Sequence, residues 1–87
     1  MSGRSKIIRL LAVDDHPLMR EGIAALLASE SDIQLAGEAG DGREAIEKVR
    51  TLHPDIVLMD LQMKGMNGID AIVAIKAEFP SDRKSVV

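Results

Sequence analysis

The run Ile56-Val57-Leu58-Met59-Asp60 leads four apolar residues directly into one carboxylate. Pro54-Asp55 precedes this run, and a stretch rich in glycine and methionine, 61–68, follows it. A short apolar run between turn-forming residues is typical of a strand that is buried on both faces of a sheet. The sequence therefore predicts a strand over 56–60 with Asp60 at its carboxyl end. In open parallel sheets, ligands bind at that end of the strands.

The composition indicates one small globular domain. The chain has 87 residues, 46% of them hydrophobic, which is enough for a single domain with a thin core. The net charge of −3 provides no basic surface of the kind that binds nucleic acid, and the absence of cysteine excludes disulfides and thiolate metal sites. The first apolar run is short and contains Arg9, so neither a signal peptide nor a membrane span is expected. A soluble, cytoplasmic domain is predicted.

Further apolar runs indicate the other strands. A run over 7–13 ends in Asp14-Asp15, and Arg9 is expected near the start of its strand. The segment 33–39 alternates between apolar and polar residues, which suits a strand at the edge of the sheet. The segment 85–87 is typical of the beginning of a fourth strand.

Each of the first three strands is followed by a stretch with helical spacing of its apolar residues. The first helix is expected to start at Pro17, and the second is expected to be capped by Asp41 and to end at His53-Pro54. The third is expected to be capped by Asn67 and stopped by Pro80, and the residues predicted for its inner side are Ile69, Ile72, Val73, Lys76 and Phe79. This alternation of strands and helices predicts a parallel sheet with helices on both faces.

Two of the predicted strands end in carboxylates, Asp14-Asp15 on the first and Asp60 on the third. If these strands are neighbours, three carboxylates share one crevice, and their repulsion raises at least one pKa unless a cation compensates. Mg²⁺, which prefers oxygen ligands, would be such a cation. An aspartate beside Mg²⁺ could act as a nucleophile toward phosphorus and form an aspartyl phosphate. A helix cap or a solvated turn is the simpler interpretation of the Asp14-Asp15 pair taken alone.

Four segments of the chain resemble a known family: 11–17, Leu-Ala-Val-Asp-Asp-His-Pro; 40–45, Gly-Asp-Gly-Arg-Glu-Ala; 54–61, Pro-Asp-Ile-Val-Leu-Met-Asp-Leu; and 66–68, Met-Asn-Gly. They resemble the receiver domain of two-component response regulators, in particular the subfamily whose receivers precede a LuxR-type helix-turn-helix output domain. The resemblance implies the flavodoxin-like receiver fold, an α/β fold with a parallel sheet of order 2-1-3(-4). Residues 1–87 are then interpreted as one partial receiver domain, truncated before strand five.

The resemblance also implies a role for each carboxylate. Asp60 would be the phosphoacceptor and would also contact Mg²⁺. Asp14 and Asp15 would form the acidic pair that organises Mg²⁺, with Asp15 favoured as the direct ligand, and the backbone carbonyl of Gln62 would be a further ligand. The phosphoryl donor would be the phosphohistidine of a sensor histidine kinase or a small acyl phosphate. Such a domain is not an enzyme beyond catalysing its own phosphorylation and dephosphorylation.

The sequence departs from the family in two places. Lys64 stands where the family usually has a proline, and it is interpreted as a solvated side chain. The family also has a serine or threonine at the end of strand four and a lysine at the end of strand five, and the chain contains neither position. The second departure supports the interpretation as a C-terminally truncated receiver.

The missing elements suggest an alternative function. Without its last two helices a receiver exposes apolar surface on both faces of the sheet and an open edge, which favours pairing with another chain. The prediction is a homo-oligomer formed through exposed sheet faces or an edge, and the alternative is a non-signalling fragment that self-associates and whose acidic site is vestigial. DNA binding is expected only through an absent output domain.

Other residues receive simpler interpretations. A phosphatase with an Asp-x-Asp motif is disfavoured, because the adjacent Asp14 and Asp15 would point to opposite sides of a strand. His16 is interpreted as a loop residue at the start of the first helix rather than as a metal ligand. The methionines are interpreted as filling of the core and loops.

Overall fold

Strands and helices alternate along the chain in the predicted order. The computed structural model describes residues 7–63, 68–78 and 85–86. The elements are β1 (Ile8–Val13), α1 (Pro17–Ala28), β2 (Ile33–Ala39), α2 (Gly42–Leu52), β3 (Ile56–Met59), α3 (Gly68–Glu78) and β4 (Ser85–Val86). The predictions for Lys64, Asn67, Phe79, Pro80 and Val87 lie outside the described residues. None of the described helices has the length and apolar character needed to cross a bilayer.

The sheet is parallel and has the strand order β2-β1-β3-β4, which confirms the predicted receiver-type order. The chain moves from β1 to β2 and then back across β1 to β3. Right-handed connections in opposite directions place α1 on one face of the sheet and α2 on the other, where α2 packs against α3. Val13 pairs with Met59, so the carboxyl ends of β1 and β3 lie side by side.

The core lies between the sheet and the helices α2 and α3. Leu11 at the centre of β1 is fully buried, and it pairs with Gly37 of β2 and Val57 of β3. Met63 reaches back into this core from the loop that follows β3. The core cluster consists of Leu11, Val13, Ala39, Ala45, Val49, Val57, Met59, Met63, Ala71 and Ile75. None of the described residues of α1 is fully buried.

The prediction that the third strand is buried on both faces was wrong. Val57 and Met59 are buried against the α2 and α3 face, but Leu58 between them is 37% exposed. The reason is the position of α1, which packs on β2 and β1 rather than over β3. Among the described residues, no helix covers the α1 side of β3, so the strand has one dry face and one partly open face.

The predicted inner side of the third helix was right at Ile72 but wrong at Ile69 and Val73. Ile69 and Val73 are 59% and 63% exposed, whereas the buried residues of α3 are Gly68, Ala71 and Ile75, with Ile72 partly buried beside them. Both sets of positions follow helical spacing, so periodicity could not distinguish them. Close packing distinguishes them, because small residues at the start of α3 let the helix approach the sheet.

Arg9 connects β1 to the end of α2. Its guanidinium donates hydrogen bonds to the carbonyl oxygens of Leu52 and His53, which are left without helical partners at that helix end. His53 leaves the helix in the left-handed region with φ of 49°, a conformation common at helix C-termini, and α2 ends before Pro54 as predicted. The Arg9 N–H also donates to Asp55 Oδ2 over 2.9 Å. Arg9 is thus a partly buried helix cap.

Candidate functional site

The carboxyl ends of β1 and β3 bring Asp14, Asp15 and Asp60 together, as the sequence predicted. One oxygen of each carboxylate and Nδ1 of His16 all lie within 4.8 Å of one another. The Asp14 N–H donates to the Ala39 carbonyl over 3.0 Å, and the Asp60 N–H donates to the Val13 carbonyl over 2.9 Å. The sheet therefore positions the backbone of both strand ends, and the three carboxylates form a partly buried acidic cluster.

The two oxygens of Asp60 have different environments. Oδ1 accepts a hydrogen bond of 2.9 Å from the Gln62 N–H, which turns the chain immediately after β3. Oδ2 faces the other carboxylates and lies 4.0 Å from His16 Nδ1. The side chain is therefore oriented by its own loop, with one oxygen directed into the cluster. The N–H of Gln62 thus binds Asp60, and the role of the Gln62 carbonyl as a metal ligand stays a prediction.

His16 contacts the acidic cluster, whereas the sequence had indicated only a loop residue at the start of the first helix. It does lie at the start of α1, as predicted, but its backbone N–H donates to Asp14 Oδ1 over 2.9 Å. Its Nδ1 lies 2.8 Å from the same oxygen and 3.0 Å from Asp15 Oδ1. The two-residue separation of Asp14 and His16 could have predicted this contact. An aspartate carboxylate can accept a hydrogen bond from the backbone N–H two residues further on, and this turn brings the side chain of that residue near the carboxylate.

The charges of the cluster shift two pKa values in opposite directions. The hydrogen bond to Asp14 and the negative charge of Asp15 raise the pKa of His16 above its usual value. Partial burial by itself would raise the pKa of Asp14. The hydrogen bonds from His16 and the charges of His16 and Arg20 outweigh that burial, so the pKa of Asp14 is lowered. Protonated His16 is therefore a local counter-charge for the carboxylates.

This pairing predicts a pH-dependent contribution to stability. Because the pKa of His16 is raised in the folded protein, its contribution is fully present below the pKa of the unfolded chain and is lost as pH rises through the folded value. In metal-free buffer, the variant His16→Gln should have a lower melting temperature than the parent at about pH 6, and the difference should shrink toward about pH 9. Thermal unfolding across that range checks the prediction, and a difference that does not change with pH would contradict it.

Arg20 is a second residue near the cluster that the sequence did not reveal. Its guanidinium donates to the Asp14 carbonyl over 2.5 Å and to Glu38 Oε1 over 3.1 Å. It therefore joins α1, the loop after β1 and the strand β2, and it brings a permanent positive charge near Asp14. The contact depends on where α1 crosses the sheet, which residue spacing does not specify.

The donor set of the cluster is suited to a divalent cation. Asp14, Asp15 and Asp60 offer carboxylate oxygens, which are the ligands of hard cations such as Mg²⁺ and Ca²⁺. The side chains are 14%, 20% and 23% exposed, so an ion held there would keep access to water. A cation would also relieve the repulsion among the carboxylates. The acidic cluster is therefore able to bind a metal.

Comparisons with known proteins find related sequences and related structures. Residues 10–86 match the response regulator receiver domain family. The chain is similar to the response regulator protein VraR of Staphylococcus aureus, with 47% identity over 73 residues, which are 84% of this chain and 35% of VraR. The chain thus spans about a third of the length of that relative.

Two solved structures extend the likeness to the fold. The NarL signal receiver domain of Mycobacterium tuberculosis has 33% identity and a TM-score of 0.84, over 94% of this chain and 64% of that one. A LuxR-family two-component response regulator from Aurantimonas sp. SI85-9A1 has 36% identity and a TM-score of 0.83, over 93% of this chain and 58% of that one.

Proposed function

The chain belongs to the family of response regulator receiver domains, and from this membership we propose that it accepts a phosphoryl group on Asp60. The observation that carries the proposal is the convergence of Asp60 with Asp14 and Asp15 at the ends of two adjacent strands. A sensor histidine kinase is the partner that such a domain serves, and its phosphohistidine would be the donor. A small acyl phosphate could take its place.

A magnesium ion would be held by the acidic cluster. Asp15 and Asp60 would be direct ligands, Asp14 would complete the acidic pair, and the Gln62 carbonyl would add a further oxygen. The oxygen-only donor set of the carboxylates supports this assignment. When bound, Mg²⁺ would supply positive charge that offsets the charge on the phosphoryl oxygens during transfer.

The role of Asp60 is that of a nucleophile. One of its carboxylate oxygens forms a bond to phosphorus while the phosphorus–nitrogen bond of the phosphohistidine breaks, and the released imidazole takes a proton. With an acyl phosphate, the phosphorus–oxygen bond breaks and a carboxylate leaves. The hydrogen bond from the Gln62 N–H to Oδ1 limits rotation of the Asp60 side chain, which favours a defined direction of attack. The protein modifies itself rather than turning over a substrate.

Calorimetric titration with Mg²⁺, followed by mass spectrometry after incubation with Mg²⁺ and acetyl phosphate, tests the proposal. Binding in the millimolar range and an adduct with the mass of one phosphoryl group are expected. The variant Asp15→Asn should lower the Mg²⁺ affinity by about 10-fold or more, because it removes one charged ligand. A folded parent chain that neither binds Mg²⁺ nor acquires the adduct would refute the phosphoacceptor role.

A second candidate function is self-association with an inactive acidic site. What favours it is the exposed apolar surface on the α1 side of the sheet. Leu18 and Leu26 of α1 are 81% and 73% exposed, and Met19 and Leu58 line a groove of about 500 Å³ beside the cluster. Surfaces of this kind mark interaction sites or promote association.

Light scattering over a range of concentrations should detect association if this surface is used. The double variant Leu18→Gln and Leu26→Gln should then shift the molecular mass toward the monomer, because it removes apolar area from the contact. Arg43→Gln on α2, which replaces another exposed side chain, should leave the association unchanged. A parent chain that remains monomeric at high concentration would contradict the self-association proposal.

A further inference from the structure

Gly68, the first residue of α3, lies directly against the backbone of Asp60. A Cβ atom added at this position would lie closest to the Asp60 carbonyl oxygen, 2.7 Å from Leu61 Cα and 3.0 Å from the Asp60 carbonyl carbon. All three are backbone atoms on the peptide group between residues 60 and 61. They cannot rotate away as the end of a flexible side chain can, so any side chain here would have to displace the backbone.

Both sides of this contact are anchored by the fold. The strand end is held by the hydrogen bond from the Asp60 N–H to the Val13 carbonyl. The helix is held by Ala71 and Ile75, which are buried in the core. Near its other end, Glu78 of α3 accepts two hydrogen bonds from the Arg50 guanidinium of α2, of 2.5 and 2.8 Å. A methyl group at position 68 would therefore act on the peptide group that carries Asp60.

We propose that Gly68 is a positioning residue for phosphoryl transfer. Its lack of a side chain lets α3 begin in contact with the peptide group 60–61, and that contact sets the Asp60 carboxylate relative to Asp14 and Asp15. The inference rests on the proposed function, since it concerns the same site. Displacing a reacting group by about 1 Å can lower a rate by about 100-fold, so the variant Gly68→Ala should be phosphorylated about 100-fold more slowly.

Two other glycines provide matched controls. A Cβ at Gly37 in β2 would lie 2.6 Å from Leu52 Cδ1, which is the end of a flexible side chain, and its next neighbours are also side-chain atoms. The variant Gly37→Ala should therefore perturb packing without acting on the Asp60 backbone. A Cβ at Gly22 in α1 would meet no described atom within 4 Å. Gly22→Ala should stabilise the protein through helix propensity and serves as a stabilised background.

The experiment compares the parent with Gly68→Ala and Gly37→Ala, each in the Gly22→Ala background. Circular dichroism gives the folded fraction and the unfolding midpoint, calorimetry gives the Mg²⁺ affinity, and mass spectrometry gives the rate of labelling by acetyl phosphate per folded molecule. Folded Gly68→Ala should label about 100-fold more slowly and bind Mg²⁺ more weakly, whereas Gly37→Ala should label at the parent's rate. A loss of stability alone would slow neither variant once the rate is expressed per folded molecule.

The outcomes separate this inference from the function on which it rests. If the protein that carries only the Gly22→Ala substitution is folded but is not labelled, the proposed function fails. If the parent is labelled and Gly68→Ala is labelled at the same rate, the positioning role is overturned. Complete unfolding of Gly68→Ala in the stabilised background would also overturn it, because Gly68 would then be required for folding rather than for the placement of Asp60.

Discussion

Replacing Asp60 by asparagine should eliminate the phosphoryl adduct while the fold remains intact. Asparagine has nearly the same shape, and its side-chain oxygen can still accept the hydrogen bond that Asp60 Oδ1 receives from Gln62. It lacks the ionised oxygen that attacks phosphorus. The labelling rate with acetyl phosphate and Mg²⁺ should therefore fall by at least about 1000-fold, which intact-protein mass spectrometry can measure.

The same variant should be at least as stable as the parent without a metal. Three carboxylates lie within one cluster, and removing one negative charge reduces their repulsion. An unfolding midpoint at or above that of the parent is expected at neutral pH. Adduct formation on Asp60→Asn would show that another residue accepts the phosphoryl group. An unfolding midpoint far below that of the parent would show instead that Asp60 is needed to maintain the end of β3.

Replacing Leu11 by alanine should have the largest effect on stability. Leu11 is fully buried at the centre of the sheet, between Gly37 and Val57 on the neighbouring strands. The change removes a buried isopropyl group and leaves a cavity, which costs about 2 to 5 kcal/mol in well-packed cores. Since the free energy of unfolding of a domain is only about 5 to 15 kcal/mol, this is a large fraction of the total. Urea unfolding of the parent and the variant measures the difference.

Leu26→Ala is the matched control for this substitution. It removes the same atoms from a side chain that is 73% exposed on α1. Leucine and alanine both favour helices, so the free energy of unfolding should change by no more than about 0.5 kcal/mol in dilute solution. Equal losses for the two variants would mean that the core does not lie where the structure has it, between the sheet and the helices α2 and α3.

The stability and the proposed activity depend on opposite kinds of environment. The core around Leu11 is apolar and closely packed, whereas the site at the strand ends concentrates three negative charges in a partly buried crevice. Residues around the site reduce the cost of that concentration. Nδ1 of His16 contacts Asp14 and Asp15, and the Arg20 guanidinium holds the Asp14 carbonyl. Functional sites commonly retain such unfavourable charges, and the surrounding structure compensates for them.

Most of the fold could be predicted from the sequence because its signals are local. Apolar runs, helical spacing and Pro17 located the elements, and β2 has the predicted bounds. The Asp41 side chain accepts the Glu44 N–H over 2.8 Å, so the predicted cap of α2 is confirmed. The order of the sheet came from the resemblance to the receiver family, and the structure agrees with it. With strands one and three adjacent, the convergence of Asp14, Asp15 and Asp60 followed directly.

The sequence could not predict which faces are covered, because this depends on where helices cross the sheet. For this reason the sequence did not predict that Leu58 on β3 is exposed, or that Ala71 rather than Ile69 is the buried residue of α3. A helix with apolar residues on two sides carries no local sign of which side packs inward.

The sequence by itself determined the α/β alternation and the carboxylates at the ends of two strands, since apolar periodicity and strand-end residues are properties of neighbouring positions. Only the tertiary structure decided how those carboxylates are held. The contacts of Arg20 with Asp14 and of Gly68 with Asp60 join different elements of the chain. Their distances follow from the packing of whole helices against the sheet, which no short stretch of sequence encodes.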